Sequence, residues 1–316
     1  MAEKLYDLII IGGGVVGLGS AMYAGRLNLK TLVIAGTRYG TIALTDVVEN
    51  YPGFKRLTGL ELAQKMEEHA LDYAKYVEII DEKAEKIEAC GNSWLVYADG
   101  KKYNSKTVLF ATGTEIKKLG VPGEEEYWNK GVHSCALCDG PIYQDKAIAV
   151  VGGGDSAAKE ALLLTQFGKS VTIFVRGDEL KPEPINGDRV KKNPKITVIT
   201  NTHITEVRGD GKKITKLLLD KPFNGSKEFS TDALFLEIGH TPLSNLAKEI
   251  GVKTNDHGEI LINRDSETNV AGVFAAGDVG DTRFKQAITG VAEGVLAVYS
   301  AYKYINETEI FPCNEL

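Results

Sequence analysis

Four cysteines in 316 residues are few, and they are scattered: Cys90, Cys135, Cys138 and Cys313. That excludes the dense disulfide framework of a small secreted domain. Basic residues are also in deficit, 37 Lys and Arg against 43 Asp and Glu, for a formal net charge of −6. A chain of this sign lacks the basic face on which non-specific nucleic-acid binding depends, although a local basic patch for an acidic protein partner stays compatible with it. No polybasic region precedes the apolar run LIIIGGGVVGLGSAMYAG (residues 8–25), and no small-x-small cleavage site is clear. Its three successive glycines would weaken a membrane helix and fit a strand followed by a tight turn. The expectation is a cytoplasmic protein without a membrane span.

What the chain does have is length and ordinary surface chemistry. It is large for one hydrophobic core and comfortable for two domains. Hydrophobic residues make up 43% and charged residues 25%, usual for a soluble globular protein, and glycine is frequent at 34 residues. An internal similarity organises these residues. Residues 8–36 read LIIIGGGVVGLGSAMYAGRLNLKTLVIAG, and residues 148–176 read IAVVGGGDSAAKEALLLTQFGKSVTIFVR. Each runs apolar strand, three glycines, helix-compatible segment, short polar turn and second apolar strand. Each is a βαβ unit, and its short Ile- and Val-rich runs suit strands buried on both faces of a parallel sheet.

The glycines have separate physical tasks. Gly12 and Gly152 allow the tight turn off the strand, and Gly14 and Gly154 let the backbone approach a pyrophosphate. Gly17, with Ala157 in the second copy, permits close packing of helix on strand. The helix starts, Asp155 and Ser156 in the second copy, then offer unpaired N–H groups to phosphates. One GxGxxG is weak evidence, whereas two in register, each in a complete strand–turn–helix–strand context, point to two dinucleotide sites in an α/β chain.

The intervening segments follow the same plan. VENYPGF (48–54 with Glu49 and Asn50 inside it) is a turn-rich loop, and LTGLELAQKMEEHALDYAKYV (57–77) has helical spacing. KTVLFATGTE (106–115) reads as a buried strand ending in small residues, Thr112 and Gly113 among them. TDALFLEIGHTP (231–242) is a strand and a turn. VFAAGDVGD (273–281) is a strand with a Gly-Asp turn, and KQAITGVAEGVLAVYSAYKYI (285–305) a long helix. The Gly-Val-Pro-Gly run near residues 119–123 suggests a hinge.

HSCALCDG (133–140) holds two of the cysteines as Cys-x-x-Cys. Zinc would need about four ligands, and with no second Cys-x-x-Cys, His133, Cys90 and Cys313 would have to converge from distant segments. Burial of two structural thiols is a better bland reading, but it leaves the position before the second glycine-rich unit, and the adjacent Asp139, unexplained. A redox dithiol accounts for both, since a working thiolate needs a neighbour to manage its proton. Cys313, in a polar tail, reads as a third relay thiol or as an incidental exposed residue.

The ordered series GGGVVG, ENYPG, ATG, CALCDG, GGGDSA, GHTP and AAGDV…KQAITG resembles the low-molecular-weight thioredoxin reductases over nearly the whole chain. The resemblance implies two Rossmann-like domains, the second inserted in the first. An FAD-binding domain would comprise residues 1–117 and 246–316, and a pyridine-nucleotide-type domain carrying the Cys-x-x-Cys residues 118–245. It also implies a homodimer that reduces thioredoxin or a thioredoxin-like protein. Gly12, Gly14 and Gly17 would hold the FAD pyrophosphate, and Asn50, Thr112 and Gly113 would lie at the flavin site. Asp278 would bond the ribityl or phosphate portion, with Lys285, Gln286 and Ala287 near the isoalloxazine. Gly152, Gly154, Asp155, Ser156 and Ala157 would hold NADPH or NADH. Cys135 and Cys138 match the redox pair and Asp139 its acid; the resemblance puts Cys138 nearer the flavin, an order the residues alone leave open. Taken singly, Asn50 reads as a loop residue, Asp139 and Asp278 as helix caps, and Gln286 and Ala287 as ordinary helix residues. Rotation of one domain against the other, which the family uses, would be hinged near 119–123 and 239–242.

The chain departs from the pattern at FVRGDELK (174–181), where the family has His, two arginines and a further basic residue. Val175 and Gly177 replace the His and the second Arg, while Arg176 and Lys181 keep basic character. Arg chelates a phosphate bidentately and Lys supplies a point charge, so a weakened 2′-phosphate site is compatible with the stretch. Arg176 reads equally as a solvated surface residue. No acid stands at the strand end to accept from a ribose diol. Thr41 and Lys285 replace a Gln and an Arg common in the family, and the first unit ends IAG without an acid. Three readings follow: a reductase fed by NADPH or NADH, one fed by ferredoxin or a similar carrier, and a flavin-binding redox sensor.

Overall fold

The computed structural model describes residues 4–45 and 48–311. The chain divides into two units, Met1–Glu115 with Thr241–Leu316, and Ile116–His240.

The first unit opens with strand β1 (Leu5–Ile11), helix α1 (Val15–Arg26) and strand β2 (Thr31–Ile34). Helix α2 (Gly59–Leu71), β3 (Val77–Ile80), β4 (Ala84–Cys90), β5 (Ser93–Ala98) and β6 (Lys101–Phe110) complete its N-terminal segment. Thr58 and Glu61 cap α2 reciprocally, each backbone N–H donating to the other's side chain. The helical spacing in the sequence runs on to Val77, but α2 ends at Leu71 because Val77–Ile80 pairs with β2 as an edge strand. The sheet order is β3-β2-β1-β6-β5-β4, with β1 parallel to both β2 and β6.

Strand β7 (Thr114–Ile116) leads into the second unit. There β8 (Val132–His133), α3 (Ala136–Asp139), β9 (Ala147–Val151), α4 (Asp155–Leu164), β10 (Ser170–Phe174), α5 (Pro184–Lys192) and β11 (Ile196–Ile199) follow in order. Strands β12 (Ile204–Gly209), β13 (Ile214–Phe223) and β14 (Ser226–Ser230) form an antiparallel sheet, and β15 (Ala233–Leu236) returns to the parallel one, ordered β11-β10-β9-β15-β8. The return passes through β16 (His240–Pro242), which pairs with β7, to α6 (Asn245–Glu249), β17 (Val273–Ala275) and α7 (Ala287–Glu307).

Burial on both faces explains the unbroken apolar runs. On one face of the first sheet, Leu8 and Ile10 pack with Ala21 and Ala24 of α1 and Ala297, Val298 and Ala301 of α7. On the other, Ile9 and Ile11 join Trp94, Val96, Val252 and Ile260. In the second unit Ile148 and Val150 pack with Ala157, Ala161 and Leu164 of α4, and Ala149 and Val151 face Val207, Leu217 and Leu219 of the antiparallel sheet.

The repeat in the sequence is a repeat in the fold, and it extends past the second strand. Tyr39 N–H donates to Gly13 O at 2.9 Å in the first unit, and Lys181 N–H donates to Gly153 O at 2.8 Å in the second. In each, the segment after the second strand is tied back over the glycine turn.

The turn at 119–123 is not where the chain crosses between units. Val207 N–H donates to Pro122 O at 2.9 Å, and the Glu124 carboxylate accepts from Leu119 N–H and Gly120 N–H. Those bonds fix the turn inside the second unit, and the crossings fall at 115/116 and 240/241. Among the described residues, no helix is long and apolar enough to cross a membrane.

Candidate active site

In the first unit three strand ends line up. Strand β6 pairs with β5 over Lys101–Ser105, then with β17 over Val108–Phe110, so β17 takes the edge that β5 leaves. Ile11 stands beside Phe110, and Phe110 beside Ala275. The residues that follow, Gly12, Thr112 and Gly113, and Asp278, therefore emerge at one end of the sheet. In an open α/β sheet that end, where the connections diverge, is where ligands bind.

The glycine turn there leaves no room for side chains except on one side. A Cβ on Gly12, whose φ is +130°, would lie 2.1 Å from Ala111 O, and one on Gly17 would lie 1.9 Å from Gly12 O. At Gly14 the nearest atom would be 3.8 Å away. Gly14 also starts α1, whose first turn carries no acidic residue. A helix start with free N–H groups, no carboxylate and an open backbone fits the pyrophosphate of a dinucleotide.

Around this turn, Asn50 Nδ2 donates to Gln286 Oε1 at 2.8 Å, joining two residues far apart in the chain. Gln286 is the N-cap of α7 and Ala287 its first residue. The Thr112 hydroxyl donates to Leu243 O at 2.7 Å, and Gly113, at φ +65°, accepts from Leu243 N–H. Lys285 Nζ is bound by Asp278 O, Gly280 O and, at 3.0 Å, the Glu259 carboxylate.

The second cradle repeats the pattern with a different charge. A Cβ on Gly152 would lie 2.2 Å from Glu237 O and 2.9 Å from the Ala157 side chain, whereas Gly154 faces open space. Here the first helical turn carries Asp155, whose carboxylate accepts from Glu183 N–H and Asn186 Nδ2 and pairs with Lys159. Ser156 is exposed. Arg176 is exposed, a Cβ at Gly177 would touch nothing, and Lys181 Nζ lies 3.5 Å from the Glu179 carboxylate. Val175, where a His would stand in the resembling family, is buried.

Cys135 and Cys138 form a disulfide across one turn, with Cα atoms 5.4 Å apart. Cys135 is buried and Cys138 exposed. Cys135 Sγ also caps α3 by accepting from Cys138 N–H at 3.1 Å, and Asp139 N–H donates to Cys135 O. Among the described residues no three His, Cys, Asp or Glu groups gather as metal ligands would. Cys313, the other suggested relay thiol, lies outside the described residues.

A pyridine nucleotide-disulphide oxidoreductase family model matches residues 6–294. The thioredoxin reductase of Bacillus subtilis is 40% identical over 315 residues, covering 97% of each chain. The crystal structure of Lactococcus lactis thioredoxin reductase superposes with a TM-score of 0.91 at 37% identity, covering 96% of this chain and all of that one. The crystal structure of T. acidophilum thioredoxin reductase gives a TM-score of 0.88 at 34% identity, covering 95% of this chain and 99% of that one. The chain belongs to the low-molecular-weight thioredoxin reductases. It is a flavoprotein oxidoreductase with a redox-active disulfide, in a family that implies FAD, a pyridine nucleotide and a thioredoxin substrate.

The reductase disulfide has neighbours that the motif pattern did not single out. Glu160, on α4, accepts from Ala136 N–H at 2.7 Å, fixing the backbone between the two cysteines. His133 is only 2% exposed, with Nε2 2.7 Å from the Tyr143 hydroxyl and Nδ1 3.1 Å from Asp139 Oδ2. That second approach is at ion-pair distance but without the alignment of a hydrogen bond. By sequence alone His133 reads as a metal ligand; its place two residues before Cys135 is the signal that ties it to the dithiol.

Glu237, at the end of β15, is an unusual acid. Burial, and secondarily the charge of Glu160, push its pKa up to about 8. An acid whose folded pKa exceeds its unfolded value of 4.5 holds a proton in the native state that the unfolded state has released. Stability therefore falls as pH rises from about 4.5 to 8 and is flat outside that window. Some of the side chain stays accessible, so about 3 kcal/mol of the full linkage is expected. Glu237→Gln should remove that slope, giving unfolding midpoints in urea that differ little between pH 5 and pH 8.5. A variant that keeps the parental slope would locate the titrating group elsewhere.

Proposed function

We propose that the enzyme passes reducing equivalents from NADPH or NADH to thioredoxin through Cys135 and Cys138, with FAD held in the first unit and the nucleotide in the second. The observation that carries this reading is the Cys135–Cys138 disulfide, with Cys138 exposed, in the same unit as the second glycine cradle. In the first unit Gly12, Gly14 and Gly17 would receive the pyrophosphate, Asp278 the ribityl or phosphate portion, and Asn50, Thr112, Gly113, Lys285, Gln286 and Ala287 would surround the ring system. Gly152, Gly154, Asp155, Ser156 and Ala157, with Arg176 and Lys181, would receive the nicotinamide nucleotide. When bound, the flavin supplies the two electrons that open the disulfide.

The chain's own residues then run a thiol–disulfide exchange. One cysteine thiolate attacks a sulfur of the thioredoxin disulfide, forming a mixed disulfide, and the leaving thiolate takes a proton from Asp139. Asp139 next accepts the proton of the second cysteine thiol. That thiolate attacks the mixed disulfide, re-forming Cys135–Cys138, and Asp139 returns the proton to the second thioredoxin sulfur. A homodimer in a reducing, cytoplasmic compartment belongs to this reading; Leu296, Tyr299 and Tyr302 remain exposed along α7.

A second donor is favoured by one observation. Only Arg176 and an ion-paired Lys181 stand where a 2′-phosphate would need a basic cluster, beside the bare Gly177. A ferredoxin-type carrier would bypass that site. Anaerobic addition of NADPH, NADH and a reduced ferredoxin to separate samples of flavin-loaded enzyme, each followed by thioredoxin, tests both. Rapid bleaching by a nicotinamide and recovery on thioredoxin is the expected result. Slow bleaching by both nicotinamides and fast bleaching by ferredoxin would transfer the proposal to the carrier, and bleaching without turnover on thioredoxin would leave a redox sensor.

A further inference from the structure

His133 is the buried centre of a chain of polar groups, half-buried on either side of it, that runs to the dithiol. Its ring lies 5.5 Å from that of Tyr143 and 5.4 Å from that of Phe235, which fix its plane from two sides. Nε2 meets the Tyr143 hydroxyl at 2.7 Å, and Nδ1 faces Asp139 Oδ2 at 3.1 Å. Asp139 follows Cys138 directly and closes α3 through its N–H bond to Cys135 O. A buried ring nitrogen with no aligned partner in the disulfide state is costly unless another state of the site satisfies it.

We propose that His133, held by Tyr143, is a positioning residue for Asp139, presenting its Nδ1–H to the Asp139 carboxylate whenever that group has given up its proton during thiol–disulfide exchange. This deepens the proposed function and rests on it. The tautomer follows from the neighbours. Burial, then the nearby charges of Asp139 and Asp232, push the Tyr143 hydroxyl up to about 12, so the phenol keeps its proton across the working range. A neutral phenol can donate to Nε2, and the Asp139 carboxylate oxygen facing Nδ1 then favours the ring proton of a neutral imidazole on that side. Burial lowers the His133 pKa, against the opposing pull of Asp139, which favours that neutral ring. The other ionisable groups near the dithiol are Glu160, engaged by Ala136 N–H, and Glu237 beyond it.

In the exchange, the proton that leaves Asp139 goes to the departing thioredoxin thiolate. The new carboxylate rotates to accept from Nδ1–H, and the same hydrogen bond breaks when Asp139 takes the proton of the second cysteine. No proton leaves His133 in either step. Its contribution is to stabilise the ionised carboxylate and hold it beside the cysteines.

The test is the pH profile of disulfide reduction by flavin-loaded His133→Asn and Tyr143→Phe enzymes, read with thioredoxin and in parallel with the small disulfide 5,5′-dithiobis(2-nitrobenzoate). Loss of the Nδ1–H donor should move a limb of the profile upward by about one pH unit and lower turnover by roughly tenfold at pH 7. Donor-driven bleaching of the flavin should be unchanged. Tyr143→Phe, which removes one oxygen and keeps the ring, should move the same limb in the same direction by less. If His133→Asn loses its flavin, Tyr143→Phe decides alone. Wild-type limbs in the variant that retains flavin would overturn the proposal. A parental enzyme that reduces the small disulfide but not thioredoxin would overturn the thioredoxin reading instead, leaving the limb on the small disulfide to judge His133.

Discussion

Cys138→Ser enzyme should still have its flavin bleached by the electron donor but should reduce thioredoxin at least ~10³-fold more slowly than the parent. The expectation follows from the exchange itself. Two electrons leave as a pair only if the second sulfur attacks the mixed disulfide, and a serine hydroxyl is too weak an acid and too poor a nucleophile to do it. Cys135→Ser should lose turnover to the same extent. The two variants differ in what they trap. Whichever cysteine attacks thioredoxin, its presence as the sole thiol should let a mixed disulfide accumulate, seen as a mass adduct that dithiothreitol removes. The exposure of Cys138 and burial of Cys135 make Cys138 the more accessible sulfur in this structure. Near-parental turnover in either variant would remove the dithiol from the pathway.

The second large effect concerns Gly17 and Gly14, which differ by three positions and by the room around them. A Cβ at Gly17 would lie 1.9 Å from a carbonyl oxygen of the same turn, a distance that only backbone movement can relieve. Gly17→Val should therefore cost about 4 kcal/mol or more and yield protein without the flavin absorbance near 450 nm. At Gly14 a methyl group meets nothing closer than 3.8 Å in the protein. Gly14→Ala should fold with little loss of stability, because its methyl enters only the space assigned to the pyrophosphate. Its cost should instead appear as weaker FAD retention on dilution. A Gly14→Ala protein that binds FAD like the parent would place the pyrophosphate away from this turn.

The glycine turns were legible in the sequence because their physics is local: three glycines between an Ile- and Val-rich strand and a helix restrict the backbone whatever surrounds them. The Cys135–Cys138 pair was legible for the same reason. Its supporting groups were not. Tyr143 and Asp139 reach His133 from opposite ends of a short turn, and Glu160 arrives from α4, beyond β9 in the chain. None of these meetings has a sequence spacing that marks it. The antiparallel hairpins, by contrast, carry a local signal in their turn residues. Asp99-Gly100 and Asn224-Gly225 both adopt positive φ at each residue, as two-residue hairpin turns require. Asn50 and Gln286 show the remaining limit, since only the folded sheet brings residues from the two ends of the first unit to 2.8 Å.

The paired crossings β7 and β16 carry a consequence for how such a molecule is assembled. Leu243 N–H donates to Gly113 O on one side of the pair, and Lys117 N–H donates to Gly239 O on the other, so the chain leaves and re-enters each unit at adjacent points. A module whose two ends are neighbours can be lifted out, or set into another host, without stretching either backbone. The second unit is in that sense a cassette, and the first a frame whose cut ends already touch.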